Sequence, residues 1–265
     1  VAARTPRTRT KPRAVRPDAG PLSYWERSKQ PLEILVLLVP LIVLYEIGLV
    51  RWLATAQGVQ TNDAHRALVH LFQSFGMDAT RLGLPVLSLP AVAMVVVLLV
   101  LHALSRKPWT VNLPTVAGMV MEGVLAGLPL FVLVRVIMGI ATLATTAEPV
   151  AWLGDRILIS IGAGLYEEFI FRMVALLLLH SLLADLLRIK EPWSTWVAVV
   201  LAALAFAAYH PLRGATGAIE WPVFASLFMA GLYFGALYVV RGFGIAVAAH
   251  ASYDIIVTAV WHPVG

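Results

Sequence analysis

Cysteine is absent from the 265 residues, which excludes a disulfide framework, a thiolate nucleophile and any thiolate-bound metal. Charge is scarce as well: 13% of residues are charged and 60% are hydrophobic, with a mean hydropathy of +0.82. A soluble domain carries about 25% charged residues, so a soluble globular fold is excluded. Sustained period-two alternation is missing, which argues against a membrane β-barrel. There is no glycine-rich phosphate loop and no internal repeat. What is present is a series of continuous apolar runs of about 20 residues, the length an α-helix needs to cross hydrocarbon. The expected fold is all-α: one polytopic membrane domain over residues 31–265, preceded by a basic tail over 1–30.

The tail holds eight basic residues, from Arg4 to Lys29, with proline and threonine and no apolar face, so it is expected to be disordered to about Pro21. Seven spans are predicted, at 32–50, 84–104, 114–140, 156–187, 194–210, 222–240 and 243–261. The fourth, at about 31 residues, exceeds the ~20 that a straight span needs. It is expected to tilt, protrude or break in two, which would make eight helices. Ala54-Thr55-Ala56 resembles a signal cleavage site. The long preceding segment, with Glu33 and Glu46 in or near the apolar stretch, argues instead for a retained span. With the N-terminus inside, inner segments carry thirteen basic residues and outer segments five. That bias predicts an N-in, C-out protein of a bacterial inner membrane. Between the first two spans, Ala67, Leu68, Leu71, Phe72 and Phe75 recur at helical spacing. This predicts an amphipathic surface helix whose His65 and His70 lie on a solvated face.

Ionisable residues inside spans are costly and usually have a purpose. Tyr166-Glu167-Glu168-Phe169-Ile170-Phe171-Arg172 places two carboxylates and a guanidinium in the fourth run. On a helix Glu167 and Glu168 point about 100° apart. Glu168 and Arg172, four apart, share a face and can pair, leaving Glu167 aimed elsewhere. A carboxylate in an apolar setting is suited to deprotonating water. The alternative is a salt bridge that only fastens helices. Phe206-Ala207-Ala208-Tyr209-His210-Pro211 ends the fifth span, because the residue before proline is driven out of helical geometry. In the last span His250 and Asp254 are four apart, so an Asp stands where it can orient an imidazole. Glu46, His102, Glu122 and Arg135 are read as structural, with Arg135 a partner for Glu122 only if their span bends or through a neighbouring helix. Gly123-x-x-x-Gly127 and Gly231-x-x-x-Gly235 suit close helix packing.

Taken in order, Glu167-Glu168-x-x-x-Arg172, Phe206-x-x-x-His210 and His250-x-x-x-Asp254 resemble the three motifs of the CPBP family. That family comprises the type II CAAX prenyl endopeptidases and the bacteriocin-processing, Abi-type proteins. The resemblance covers about residues 115–261. It implies an all-helical intramembrane endopeptidase in which Glu167 activates water with help from His210. His250 and Asp254 would stabilise the oxyanion, and Glu168, Arg172 and Phe206 would support the site. The prenyl endopeptidases usually carry Asn where this chain has Asp254. An amide donates a hydrogen bond there, whereas a carboxylate does so only when protonated.

The resemblance inclines toward a metal-free, glutamate-type site with no cofactor. Glu167, His210, His250 and Asp254 are nonetheless residue types that also suit zinc or another divalent ion. The expected partners are membrane lipid and a peptide or protein with a membrane-associated C-terminus, with no nucleic acid. A transporter or proton relay would also keep Glu, Arg and His in the bilayer, and an immunity or scaffold protein could share the fold without turnover.

Overall fold

A computed structural model describes residues 22–55, 58–77, 89–140 and 152–261. Most of the basic tail, the start of the second predicted span and the segment 141–151 lie outside them.

The described residues form a helical membrane protein. Four helices are long and apolar enough to cross a membrane: α2 (Pro31–Arg51), α5 (Leu113–Ile140), the run beginning with α6 (Leu153–Glu168), and α9 (Trp221–Arg241). Three shorter apolar helices accompany them: α4 (Leu89–Ser105), α8 (Trp193–Tyr209) and α10 (Phe243–Trp261). These seven fall on the seven predicted runs. A four-residue turn, α1 (Tyr24–Arg27), leads into α2, and Pro31 sits in the first turn of α2, where its missing N–H costs nothing. Pro40 and Pro129 lie inside α2 and α5.

The long fourth run does not break. After α6 it continues as a π-helical stretch (Phe169–Ala175), α7 (Leu176–Ser181) and a second π-helical turn (Leu182–Leu186). Its 34 residues extend roughly 50 Å at 1.5 Å per residue, against about 30 Å of hydrocarbon. Glu167 and Glu168 close α6, immediately before the π-helical stretch that carries Arg172. Such insertions are concentrated at functional positions in helices.

Helix contacts depend on missing side chains. A Cβ on Gly164 of α6 would lie 2.8 Å from the Ala251 backbone nitrogen of α10, and one on Gly127 of α5 would lie 3.0 Å from that of Tyr253. Gly123 faces the Ala248 methyl, while Gly231 and Gly235 face Ala203 and Val199 of α8. Both glycine pairs therefore seat a neighbouring helix, as small-residue interfaces do in lipid. At Gly242 the backbone turns through a positive φ of 91°, ending α9 and starting α10 after a single residue.

After α2 comes a minimal hairpin, β1 (Ala54–Thr55) with β2 (Gly58–Val59), then α3 (Asp63–Ser74). Asn62 caps α3 by accepting from the His65 amide at 2.8 Å. The predicted amphipathic helix is present, but His65 is not on a solvated face. It is 4% exposed, stacks on Tyr166 at 4.8 Å and meets the Thr61 hydroxyl at 2.7 Å. Helical periodicity located the apolar face of α3 but not the aromatic residues of α2 and α6 waiting for the ring. His70 is exposed. Glu122 pairs with Arg241 of α9, not with Arg135. The sequence offered a partner in the same helix, and tertiary packing supplied one 119 residues away. Glu46 accepts from the Tyr166 hydroxyl at 2.9 Å.

Candidate active site

The ends of α6 and α8 and the middle of α10 bring the motif residues together. Glu167 and Glu168, adjacent in sequence, diverge around α6. Glu168 points to Arg172, whose Nη1 lies 3.0 Å from Glu168 Oε1, and to His250, whose Nδ1 lies 2.7 Å from the same oxygen. Glu167 turns to a cavity of about 120 Å³ that it lines with Phe206, His210, Phe234, His250 and Asp254.

Pro211 sets the position of His210. The residue is forced from the helix into extended backbone (φ −85°, ψ 157°), and its Nδ1 donates to the Phe206 carbonyl at 2.8 Å. That carbonyl is one of the orphan acceptors at a helix end. A carbonyl can only accept, so Nδ1 carries the proton and Nε2 of the neutral ring presents a lone pair. Nε2 lies 3.7 Å from Glu167 Oε2. In the sequence His210 ends its span while Glu167 lies well inside its own. In the folded chain the two side chains nonetheless meet across 3.7 Å.

His250 is 4% exposed and sandwiched. Its ring stacks on Phe234 at 4.5 Å and 15°, and Phe206 meets it edge-on at 6.1 Å. The Nδ1 partner that orients the ring is Glu168, not Asp254 as the i, i+4 spacing suggested. Asp254 stands on the other side, 3.5 Å from Nε2, and the same Nε2 is 3.8 Å from Glu167.

Arg172 fastens the surround. Its guanidinium reaches the Gly231 carbonyl of α9 at 3.2 Å and lies over Phe206 at 4.7 Å and Phe234 at 5.6 Å. A guanidinium stacked on aromatic faces is favourably placed without water. The ion pair, the two rings and the backbone carbonyl therefore join the α6 run to α8 and α9, and hold both aromatic walls of the cavity.

The donor chemistry of Glu167, His210, His250 and Asp254 would suit a divalent ion. Even so, among the described residues no three His, Asp or Glu side chains are grouped as a metal site requires. The closest approaches are pairwise, at 3.5–3.8 Å. No step below is routed through a metal ion.

Sequence reasoning missed the contribution of α9. Ser226, Ala230 and Phe234, four apart, line the cavity. Phe234 is one of many aromatics in apolar runs and carried no signal. Ser226, the one serine in its apolar span, was a faint one.

Residues 149–256 match the family described as type II CAAX prenyl endopeptidase Rce1-like. The match bears out the resemblance drawn from the three motifs. It runs from just before α6 into α10 and includes Glu167, Glu168, Arg172, Phe206, His210, His250 and Asp254, while α5, inside the range of the resemblance, falls outside it. The family is one of CAAX-type intramembrane proteases. No curated protein and no solved structure matches the chain.

Proposed function

We propose that this chain, matched over residues 149–256 to the CAAX-type proteases, is a glutamate-type intramembrane endopeptidase. It would hydrolyse a peptide bond near the membrane-associated C-terminus of its substrate. One observation carries the reading: the Glu167 carboxylate faces two imidazole Nε2 atoms, at 3.7 and 3.8 Å, beside a cavity of about 120 Å³. Polar atoms at such separations are too far apart for a direct hydrogen bond and suitably placed for a shared water.

In this reading Glu167 takes a proton from that water while its oxygen attacks the scissile carbonyl carbon. The lone pair on His210 Nε2 accepts the water's second hydrogen bond and fixes its direction of attack. The new C–O bond pushes the carbonyl π pair onto oxygen. His250, protonated on both ring nitrogens, donates from Nδ1 to Glu168 and from Nε2 to that oxygen, and the Asp254 carboxylate 3.5 Å from Nε2 balances its charge. Collapse re-forms the C=O bond and breaks the C–N bond. The proton held by Glu167 passes to the departing amine, leaving Glu167 ready for another water. Each group acts by general base, orientation or charge stabilisation. A prenyl group on the substrate is not required by any of these steps. The charge bias of the loops supports an N-in orientation in a bacterial inner membrane.

The experiment is cleavage of peptides bearing lipidated or transmembrane C-termini by the full chain in liposomes, compared with Glu167→Gln. The reading expects cleavage by the wild type alone, undiminished after chelator treatment. Solute or ion flux that depends on Glu167, with no cleavage, would replace the protease with a transporter. Loss of cleavage to chelator and return with zinc would replace the glutamate-type mechanism with a metal one.

A further inference from the structure

Serines buried in apolar helices ordinarily return their hydroxyl to the carbonyl one turn back. Ser160 of α6 does so, donating to the Arg156 carbonyl at 2.8 Å. Ser226 of α9 does not: its hydroxyl is buried and, among the described residues, without a hydrogen-bond partner. Burying an unmet hydroxyl is unfavourable, and this one belongs to a residue that lines the cavity faced by Glu167, His210, His250 and Asp254.

The donors around that cavity are few. Glu167 and Asp254 accept when ionised, and His210 spends its Nδ1 proton on the Phe206 carbonyl. His250, as the imidazolium, donates Nδ1–H to Glu168 and keeps one further proton, on Nε2, for an acceptor in the cavity. A peptide carbonyl developing negative charge there would meet carboxylates on two sides and a single donor. A second donor is needed, and the Ser226 hydroxyl has no acceptor of its own among the described residues.

We propose that Ser226 is a substrate-contacting residue whose Oγ–H donates to the scissile carbonyl oxygen, together with His250, as that oxygen becomes an oxyanion. This rests on the protease reading above and adds to it the identity of the second donor. No covalent bond to Ser226 forms: water supplies the new oxygen, the π pair rests on the carbonyl oxygen between the two donors, and both bonds loosen when the C–N bond breaks. A hydroxyl needed only in the transition state has no partner in the resting protein, which is the condition observed.

The test compares Ser226→Ala and Ser226→Thr with wild type in liposomes, measuring kcat, KM and melting temperature. Removal of one oxyanion donor lowers kcat by about 10²–10³-fold. We expect that fall in Ser226→Ala with KM little changed, and recovery of at least about tenfold of it in Ser226→Thr, which keeps the hydroxyl. The melting temperature of Ser226→Ala should equal or exceed that of wild type, because no hydrogen bond is lost. Wild-type cleavage with a kcat for Ser226→Ala within twofold overturns this inference and leaves the protease reading standing. A change confined to KM, or a lost melting temperature that Ser226→Thr shares, also overturns it. No cleavage by the wild type removes the protease reading and this inference with it.

Discussion

Two clusters of buried charge lie near opposite ends of α9. One surrounds Arg241 at its last turn. Tyr24 donates to Glu122 at 2.6 Å, Arg241 grips the same carboxylate through Nε and through Nη2 at 2.7 Å, and Nη2 also reaches Ser28 at 3.2 Å. The guanidinium lies on the Trp25 ring at 3.6 Å. The other surrounds Glu167, where the nearest cationic or imidazole nitrogens stop at 3.7 and 3.8 Å and a cavity occupies the space between. The first cluster is closed and the second is open. Charge buried to fasten helices is drawn into direct contact, because only close geometry offsets its desolvation. Charge that stays buried without such contact, beside room for a small molecule, has the arrangement of a reactive site. Arg172 and Glu168 form a closed pair within the open cluster, and hold its walls.

The largest effect should come from breaking that inner closed pair. Arg172→Ala leaves the buried Glu168 with His250 as its remaining partner, a loss of about 3–5 kcal/mol. Expression and melting temperature should fall together with cleavage. A stable, inactive Arg172→Ala protein would instead place Arg172 in the chemistry. Next, at the border of the open cluster, burial holds His65 neutral and lowers its pKa to about 4. The unfolded chain binds the proton from about pH 6.5 downward, so the contribution of His65 is full above that value and is lost as pH falls toward 4. The difference is about 3 kcal/mol. Hydrogen exchange of α3 should accelerate over that interval, and His65→Gln should flatten its dependence on pH.

His210→Ala should lower kcat by about 10²-fold with little change in melting temperature, since His210 is partly exposed and closes no ion pair. The smallest effect on turnover belongs to the closed cluster. Glu122→Gln should cost about 1–2 kcal/mol of stability, discounted for the partial exposure of Glu122, and leave kcat of the folded protein unchanged. A kcat loss there comparable to that of His210→Ala would erase the distinction between the two clusters.

Much of this was legible in the chain. Hydropathy located seven helices because each must bury its own backbone polar groups in lipid, and Pro211 announced the end of α8. The i, i+4 spacing of Glu168 and Arg172 gave their contact directly, since both lie on one helical segment. What spacing cannot give is which faces of different helices meet. Glu168 as the partner of His250, Glu122 with Arg241, and His65 against Tyr166 all depend on tertiary packing. Phe234 and Ser226 entered the cavity for the same reason, on a face of α9 about 120° around the helix from the one where Gly231 and Gly235 seat α8. Asp254 lies beside His250, on the Nε2 side of its ring.

The most direct measurement is turnover and melting temperature on the same preparation of Glu167→Gln. A carboxylate buried for chemistry predicts that turnover falls by about 10²–10⁴-fold, the contribution of a general base, while the melting temperature holds or rises. A protein that keeps its turnover, or that loses melting temperature and activity in step, would show that Glu167 fastens the bundle and does not act on water.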